Sequence, residues 1–556
     1  MSNFKGFSLS KYIFIILMLS LLMLESIFSM RQKSPVCDEV SHHIATGYSF
    51  LKTGDFRLNS TSPPLTEELA AIPLIFLNPV LPLADSSWNA IDRVTFGYKF
   101  LYEYNKNAAD LVFWARIPMV ILSLLCALLV FIFAKEIYGE KAGLFAMFLY
   151  VFCPNIVAYS GLAIPDIGVT FFMLLAMYTF YRFLLKPTHR NVIFSGITLG
   201  FAEAAKYSAL ILFPVFFILI ICKALADKQW KYILSLAGII AVCYCVVFMS
   251  YRLEVKPLLK NDIDVKEKIS FIEKGIDKVF GGNNQAIKSK AIDFALHTPI
   301  PFATYIMNIL AETNLVFVKD FGVFLMGERS RSGWWYYYPV VFLLKTPIPL
   351  LLLLLLAILF CLKVKPVNIW AERLIMCFLA LFTIACLLTK LQLSVRYILP
   401  LYPLLFIYIS KITKVRIKKQ FILVLAVSAL SLLYLFDALK IYPNYLAYFN
   451  QFAGGPDNGW RYLRDANIDY GQDLPALARY LRKNNISKIK LSYFGAADPA
   501  YYGIKFEPLK EEEIIKPADS VYAISVNCIY GINWIEKIKP TAKAGYSIFI
   551  YDLRRK

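Results

Sequence analysis

Residues 112–134 read VFWARIPMVILSLLCALLVFIFA and include a single charged residue, Arg116. A helix crosses a bilayer with about 20 mostly apolar residues, so this stretch predicts a membrane span. Similar apolar runs recur throughout the 556-residue chain. We predict about eleven spans, at residues 12–30, 112–134, 142–161, 167–185, 192–205, 207–225, 231–250, 338–362, 370–389, 395–410 and 420–440. The predicted fold class is therefore an all-α polytopic membrane protein with a small additional domain described below.

The composition supports this fold class. Hydrophobic residues make up 58% of the chain, whereas soluble domains are roughly 45–50% apolar. The 59 Lys and Arg residues exceed the 39 Asp and Glu residues, giving a formal net charge of +20. These basic residues fall mainly in short loops between apolar runs, which indicates contact with a membrane surface and argues against nucleic acid as a partner.

The basic loops also predict the orientation of the chain. Loops rich in Lys and Arg face the cytoplasm, and residues 411–419 form the strongest such cluster. The long loops 31–111 and 252–337 then lie on the extracytoplasmic side, as does everything after about residue 440. Residues 441–556 combine a helical pattern with strand-like runs, which predicts a small extracytoplasmic α/β domain. We therefore predict a membrane core at residues 1–440 and a second domain at 441–556.

Acidic residues stand beside the predicted spans, where ionisable groups are costly and often functional. Asp38 and Glu39 follow the first span, and in a helix Asp38 would face His42 while Glu39 would face His43. Such a carboxylate can act as a general base or hold a divalent cation; the alternative is an ordinary solvated loop. Asp166 lies before the fourth span on the same side, where its alternative role is a helix N-cap.

Basic residues collect near the same ends of the spans. Arg116, Lys206 and Arg396 lie close to span ends, and Lys345 lies deeper inside the eighth span. Charge-assisted hydrogen bonds to phosphate are strong, so these residues suit the phosphate of a lipid carrier. The alternative is snorkelling to the interface, which is easier for Lys206 and Arg396 than for Lys345. We predict these four residues and His43 as substrate-binding candidates.

A series of motifs in this order resembles one known family. They are Asp38-Glu39, Thr53-Gly54-Asp55-Phe56, Ser62-Pro63-Pro64-Leu65, Arg116-Ile117-Pro118, Pro154-Asn155, Asp166, Gly200 to Ser208, Gly333 to Pro339, Lys345-Thr346-Pro347, Arg396-Tyr397 and Asn467 to Leu474. The chain resembles the polyprenyl-phosphate-sugar-dependent membrane glycosyltransferases, the group that contains protein O-mannosyltransferases and the aminoarabinose transferase of lipid A. The resemblance covers nearly the whole chain.

The resemblance implies a C-type glycosyltransferase core whose first outer loop carries the catalytic acid. Asp38 would then be the base that deprotonates the acceptor, and Glu39 and Asp166 would shape the site or hold a metal. Lys206 and Arg396 would meet the lipid phosphate. Many relatives have His or Lys before the Pro-Pro pair where this chain has Ser62, so sugar and acceptor identity do not carry over.

The leading functional hypothesis is transfer of a sugar from a polyprenyl phosphate carrier to an acceptor protein, lipid or glycan. The site would face outward from a bacterial inner membrane, and the cofactor prediction is open between none and a divalent cation. The alternative is a transporter or flippase for a lipid-linked or anionic solute. Transporters often contain inverted repeats and polar sites near mid-membrane, whereas this chain has no evident repeat and its polar residues lie near span ends.

Overall fold

The computed structural model describes residues 9–58, 62–259, 284–317, 322–361, 367–535 and 537–554, with short stretches at 269–270, 272–274, 276–277, 320 and 364. Part of the predicted outer loop 252–337, and the last residue of the predicted span 338–362, therefore lie outside the described residues.

Helices dominate the first 441 residues. The α-helices there are Leu9–Met30, Ile44–Thr53, Pro64–Leu77, Ser86–Asn89, Arg93–Tyr102, Ala108–Tyr138, Glu140–Val151, Pro154–Ser160, Pro165–Leu185, His189–Ala205, Leu212–Asp227, Lys231–Ser250, Gln285–His297, Ala303–Phe317, Tyr337–Lys345, Ile348–Cys361, Ile369–Leu388, Leu401–Ser410 and Gln420–Ile441. A π-helical turn spans Glu39–His43, and 3-10 turns span Tyr207–Ile211, Val395–Ile398 and Lys411–Lys414. This confirms a polytopic helical membrane protein.

Seven helices in the described part of the chain are long and apolar enough to cross a membrane, or up to nine if each of two bent pairs forms one span. The predicted count of eleven is therefore too high. Glu140–Val151 and Pro154–Ser160 meet at 64°, and Tyr337–Lys345 and Ile348–Phe360 meet at 110°. A proline disfavours helical backbone at the residue before it, and the residues before Pro154 and Pro347 are both extended.

Two predicted spans correspond to helices that are short for a bilayer. The helix His189–Ala205 has 17 residues, which at 1.5 Å per residue gives about 26 Å against a hydrocarbon core of about 30 Å. Leu401–Ser410 has only 10 residues. The first of these was already predicted as a short span, at residues 192–205, whereas the predicted span 395–410 also includes the 3-10 turn Val395–Ile398.

The spans differ in how deeply they lie within the bundle. In the most apolar part of the helix Pro165–Leu185, 78% of the residues are buried inside the protein, compared with 17% in Gln420–Ile441. The helix Pro165–Leu185 is therefore central in the bundle, whereas Gln420–Ile441 lies at its periphery and presents its surface to lipid. This matters for function because Asp166 stands in the first turn of the central helix.

Residues after the last span contain a mixed sheet. Before that span, β1 (Val255–Lys256) pairs antiparallel with β2 (Ile300–Pro301), and β3 (Val323–Leu325) pairs antiparallel with β4 (Glu328–Ser330). The C-terminal strands are β5 (Ile489–Ser492), β6 (Phe506–Pro508), β7 (Val521–Ser525), β8 (Ala542–Ala544) and β9 (Ile548–Asp552), in the order β6-β5-β7-β9-β8. β5 is parallel to β6 and β7, and β9 is antiparallel to β7 and β8. The helices Leu474–Lys483 and Glu511–Ile515 complete this α/β part.

The chain between the last span and this sheet packs into the helical core. Lys345 donates hydrogen bonds to the carbonyl oxygens of Leu446 at 2.8 Å and Asn467 at 2.6 Å. The side-chain amide of Asn450 donates to the carbonyl oxygen of Thr346 at 2.7 Å. These contacts join the segment 446–467 to the membrane helices, while a domain boundary at residue 440 remains a prediction.

Candidate active site

Asp38 lies in a cluster of side chains that come from distant parts of the chain. Arg396 donates a hydrogen bond to Asp38 Oδ2 at 2.8 Å, and the Tyr470 hydroxyl donates to the same oxygen. His42 Nδ1 lies 3.9 Å from Asp38 Oδ1, which confirms the predicted facing of these two residues. The Asp38 side chain keeps 24% of its surface exposed, so it remains accessible to a substrate.

The charge of Asp38 is set by opposing effects. Burial acts to raise the pKa of its carboxyl, but Arg396 lowers it, followed by the two neighbouring histidines and the Tyr470 hydrogen bond. The pKa of Asp38 is consequently below its ordinary value. In this state the carboxylate is ionised, and its negative charge is neutralised by Arg396.

A second acid–base pair lies beside the first. Lys206 Nζ is 2.7 Å from Asp166 Oδ1 and 4.7 Å from the centre of the Tyr397 ring. The Arg396 guanidinium lies 5.2 Å from the centre of the same ring. Tyr397 thus connects the two cations, each within the range of a cation–π contact. Ile164, and not Asp166, is the N-cap of the following helix, so the capping alternative for Asp166 is wrong.

Each of these pairs retains an unused polar atom. Asp166 Oδ2 and Arg396 Nε are buried and have no hydrogen-bond partner among the residues the structure describes. Leaving a buried polar group unpaired costs roughly 1–3 kcal/mol, and more when the group is charged. Such atoms are expected where a ligand completes the bonding.

An apolar cavity of about 250 Å³ opens beside Lys206. We call it the Lys206 cavity; its wall includes Tyr207, Leu210, Ile211, Ile309, Val316, Phe317, Tyr338, Phe382, Leu391 and Tyr397. Glu312, on the helix Ala303–Phe317, is its one acidic lining residue in the described part of the chain. An apolar cavity with a cation at its opening suits an amphipathic anion.

Glu39, next to Asp38, is used differently. Its two carboxylate oxygens accept from Arg116 Nε at 2.8 Å and Arg116 NH2 at 2.6 Å, and also from the backbone amides of Ala163 and Val36. Arg116 further donates to three carbonyl oxygens of the loop after the first span. Both side chains are almost completely buried. This pair therefore anchors the first loop to the helix Ala108–Tyr138.

His43 and Lys345 also bond to the protein itself. His43 Nδ1 lies 2.9 Å from Glu67 Oε1, and both side chains are buried. Burial lowers the pKa of His43 to about 3 and raises that of Glu67 well above its ordinary value, so both groups favour their neutral forms. Lys345 is committed to two carbonyl oxygens of the C-terminal segment. Of the predicted substrate-binding residues, Lys206 lines the Lys206 cavity and Arg396 contacts the partly exposed Asp38.

The acids do not form a metal site as they are placed. No group of three or more His, Cys, Asp or Glu side chains able to hold a metal ion occurs among the residues described by the structure. Asp38, Glu39 and Asp166 are each bonded to a separate Arg or Lys. As placed, these three acids do not offer a shared set of ligands that fits a divalent cation.

Two tyrosines were not assigned roles from the sequence. Tyr397 follows Arg396 directly, and Tyr470 lies in the motif Asn467 to Leu474, but nothing in their spacing connects them to Asp38. Tyr470 contacts Asp38 across 432 residues of chain. The only signal for it was its position in a motif shared with the family.

The site and fold together define a polytopic membrane protein with paired acids and cations at one end of its helical bundle. Residues 108–249, about a quarter of the chain, match the family described as dolichyl-phosphate-mannose-protein mannosyltransferase. This match confirms the resemblance to polyprenyl-phosphate-sugar-dependent membrane glycosyltransferases. The comparison with curated proteins found no match.

Two solved structures were also found to be similar. ArnT from Cupriavidus metallidurans, bound to undecaprenyl phosphate, is 9% identical over 99% of this chain and 100% of its own, with a TM-score of 0.48. The archaeal oligosaccharyltransferase AglB from Archaeoglobus fulgidus, in complex with an inhibitory peptide and a dolichol-phosphate, is 14% identical over 76% of this chain and 56% of its own, with a TM-score of 0.43.

Proposed function

We propose that the protein transfers a sugar from a polyprenyl phosphate carrier to an acceptor hydroxyl on the extracytoplasmic side of a membrane. The observation that carries this proposal is the juxtaposition of the Lys206 cavity with the Asp38–Arg396 pair across the Tyr397 ring. The cavity would take the first isoprene units of the carrier. Lys206 and Arg396 would then bind its phosphate, because both can form charge-assisted hydrogen bonds.

The chemical step follows from the placement of Asp38. Its carboxylate would accept the proton of the acceptor hydroxyl while the hydroxyl oxygen forms a bond to the anomeric carbon of the sugar. The bond between that carbon and the phosphate oxygen breaks, and polyprenyl phosphate leaves. Lys206 and Arg396 would stabilise the negative charge that grows on the departing oxygen. Direct displacement of this kind inverts the anomeric centre.

The arrangement of charges supports the proposed outward orientation. Arg116 lies near one end of the helix Ala108–Tyr138, and 22 residues at 1.5 Å each place Tyr138 about 33 Å away. Lys411 Nζ lies 5.8 Å from the Tyr138 ring, at this opposite end. The basic cluster expected in the cytoplasm is thus separated from the site by the length of a membrane span.

The test is transfer of labelled sugar from a panel of polyprenyl phosphate donors in membranes containing the protein. Wild type should release label from at least one carrier, and Asp38→Asn at matched expression should reduce the rate about 100- to 10,000-fold. Asp110→Asn is a matched control, because it replaces a carboxylate with an amide in the same way but at an exposed position. The proposal fails if wild type transfers label from no donor, or if Asp38→Asn is no worse than Asp110→Asn.

A further inference from the structure

A large basic pocket lies in the C-terminal part, outside the site described above. It encloses about 910 Å³, which is within the range of small-molecule sites. Its charged lining residues, within the ranges the structure describes, are Arg461, Arg464, Lys537, Lys539, Lys543 and Asp457. Lys543 is paired with Asp457 at 2.9 Å. Arg461, Lys537 and Lys539 leave an excess of positive charge along the described part of the pocket wall.

Aromatic side chains stand among these cations. The Trp460 ring packs edge-on against Phe549, with ring centres 5.3 Å apart. The guanidinium groups of Arg461 and Arg464 lie 5.2 Å and 5.8 Å from the Trp460 ring centre. The C–H face of a sugar packs against an aromatic ring, and guanidinium groups bind carboxylate or phosphate through two parallel hydrogen bonds. The combination suits a saccharide that carries negative charge.

A short stretch of chain joins this pocket to the candidate active site. Arg464 lines the pocket, and Tyr470, six residues later, bonds to Asp38. Six residues of chain span at most about 20 Å even when fully extended. Between them, the Asp465 amide donates to Asn527 Oδ1 at 2.7 Å, and the Tyr159 hydroxyl donates to the carbonyl oxygen of Ala466 at 3.1 Å, which fixes the connection. Arg464 in the pocket wall and Tyr470 in the Asp38 cluster are therefore at most about 20 Å apart.

We propose that the basic pocket around Trp460 binds an anionic saccharide, with a carboxylate or phosphate held by Arg461 and Lys539. Its role as the acceptor site rests on the proposed glycosyltransferase function; the binding itself does not. The excess positive charge distinguishes this occupant from a neutral glycan, and the enclosed volume distinguishes it from a flat protein surface.

The first experiment measures equilibrium binding of fluorescently labelled trisaccharides to the purified full-length protein in detergent. The probes are tri-galacturonic acid, a phosphorylated maltotriose and neutral maltotriose. Both anionic probes should bind, and they should bind at least about tenfold more tightly than the neutral probe. Equal binding of all three would overturn the proposal, as would no binding of either anionic probe. If only the phosphorylated or only the carboxylated probe binds, that result supports the site and identifies its anion.

The second experiment assigns the binding to the pocket. The double variant Arg461→Gln/Lys539→Gln should weaken binding of the anionic probe on the order of 10- to 100-fold. The double variant Lys505→Gln/Lys516→Gln removes the same charge from exposed positions that do not line the pocket, and should bind as wild type does. An equal loss in both doubles would show only general electrostatic attraction and would overturn the proposal. Matching thermal unfolding temperatures ensure that folded proteins are compared.

The acceptor role is separated from the proposed function by combining binding with transfer. Asp38→Asn should bind the anionic probe normally while losing transfer. If no donor supports transfer but the pocket still binds, the glycosyltransferase proposal fails and the binding site stands. If transfer proceeds but Arg461→Gln/Lys539→Gln leaves the KM for an anionic acceptor unchanged, the acceptor role fails and the proposed function stands.

Discussion

Asp38 and Glu39 are adjacent carboxylates that each bind an arginine, yet their surroundings are opposite. Each carboxylate oxygen of Glu39 accepts two hydrogen bonds, one from Arg116 and one from a backbone amide, and the side chain is fully buried. Asp38 is about a quarter exposed, and its partner Arg396 keeps a buried Nε without a hydrogen bond in the described structure. A saturated ion pair stabilises the fold, whereas an unsaturated one is ready to exchange partners.

This contrast assigns different roles to residues that look equivalent in the sequence. The Glu39–Arg116 pair positions the loop that presents Asp38 and is not expected to touch substrate. The Asp38–Arg396 pair can open when a phosphate competes for the guanidinium. Variants of these residues should therefore differ in what they impair, either folding or transfer.

The largest expected effect is on folding. Glu39→Gln leaves the buried Arg116 without its counter-charge, and removing one partner of a buried pair costs about 3–5 kcal/mol. We expect Glu39→Gln to lower the thermal unfolding temperature strongly and to reduce the monodisperse yield in size-exclusion chromatography, whereas Asp38→Asn, at a more exposed pair, should lower the unfolding temperature less. Equal stability of the two variants would contradict the division of roles.

Arg396→Gln should mainly impair transfer. The variant removes a charge proposed to stabilise the departing phosphate, for which losses of about 100- to 1,000-fold are typical. Steady-state kinetics should show the loss in kcat, and Arg396→Lys should recover part of it because the positive charge is restored. A rise in KM alone, with kcat unchanged, would assign Arg396 only to donor binding.

The pH dependence should differ between the free and donor-bound protein. Arg396 lowers the pKa of Asp38 in the structure, so the base stays ionised to low pH and its contribution is lost only as pH falls through that lowered value. When donor phosphate occupies Arg396, burial acts with less opposition and the pKa rises. The acid limb of kcat, which reports the complex, should therefore lie at higher pH than that of kcat/KM, which reports the free enzyme.

The same profile provides an internal control. Arg396→Gln should move the acid limb of kcat/KM upward, toward that of kcat, by about one pH unit or more. His42 has a pKa lowered to about 4, chiefly by burial, so His42→Gln identifies any limb that arises from this histidine. Coincident limbs for kcat and kcat/KM in wild type would exclude exchange of the Arg396 partner.

The smallest predicted effect belongs to Tyr470→Phe. The variant removes one hydrogen bond to Asp38, worth about 1 kcal/mol, so kcat should fall roughly fivefold with unfolding temperature unchanged. Tyr480→Phe, in the helix Leu474–Lys483, is the matched control and should have no effect. If Tyr470→Phe instead lowers stability and leaves kcat intact, Tyr470 only secures the C-terminal segment.

Hydrophobicity was sufficient to predict the fold class, because a helix that spans lipid requires a run of apolar residues that is visible in the local sequence. It counted two spans more than the upper figure of nine, at the short helices His189–Ala205 and Leu401–Ser410, and it did not predict the bends at Pro154 and Pro347. The sequence also identified Asp38, Asp166, Lys206 and Arg396 as candidates. Which acid pairs with which cation was not predictable, since Arg396 meets Asp38 across 358 residues and no local pattern encodes that contact. For the same reason Lys345 could not be recognised as a link to the C-terminal segment.

The contact between Asp38 and Tyr470 has a consequence for biosynthesis. The two residues are separated by 432 positions, and ribosomes add about 5–20 residues per second. Asp38 is therefore made roughly 20 to 90 s before its partner. Lys345 is likewise synthesised before residues 446 and 467, whose carbonyl oxygens accept its hydrogen bonds. A nascent chain that ends before Tyr470 contains the proposed base without the tyrosine that binds it, so the complete cluster can form only after residue 470 has been synthesised.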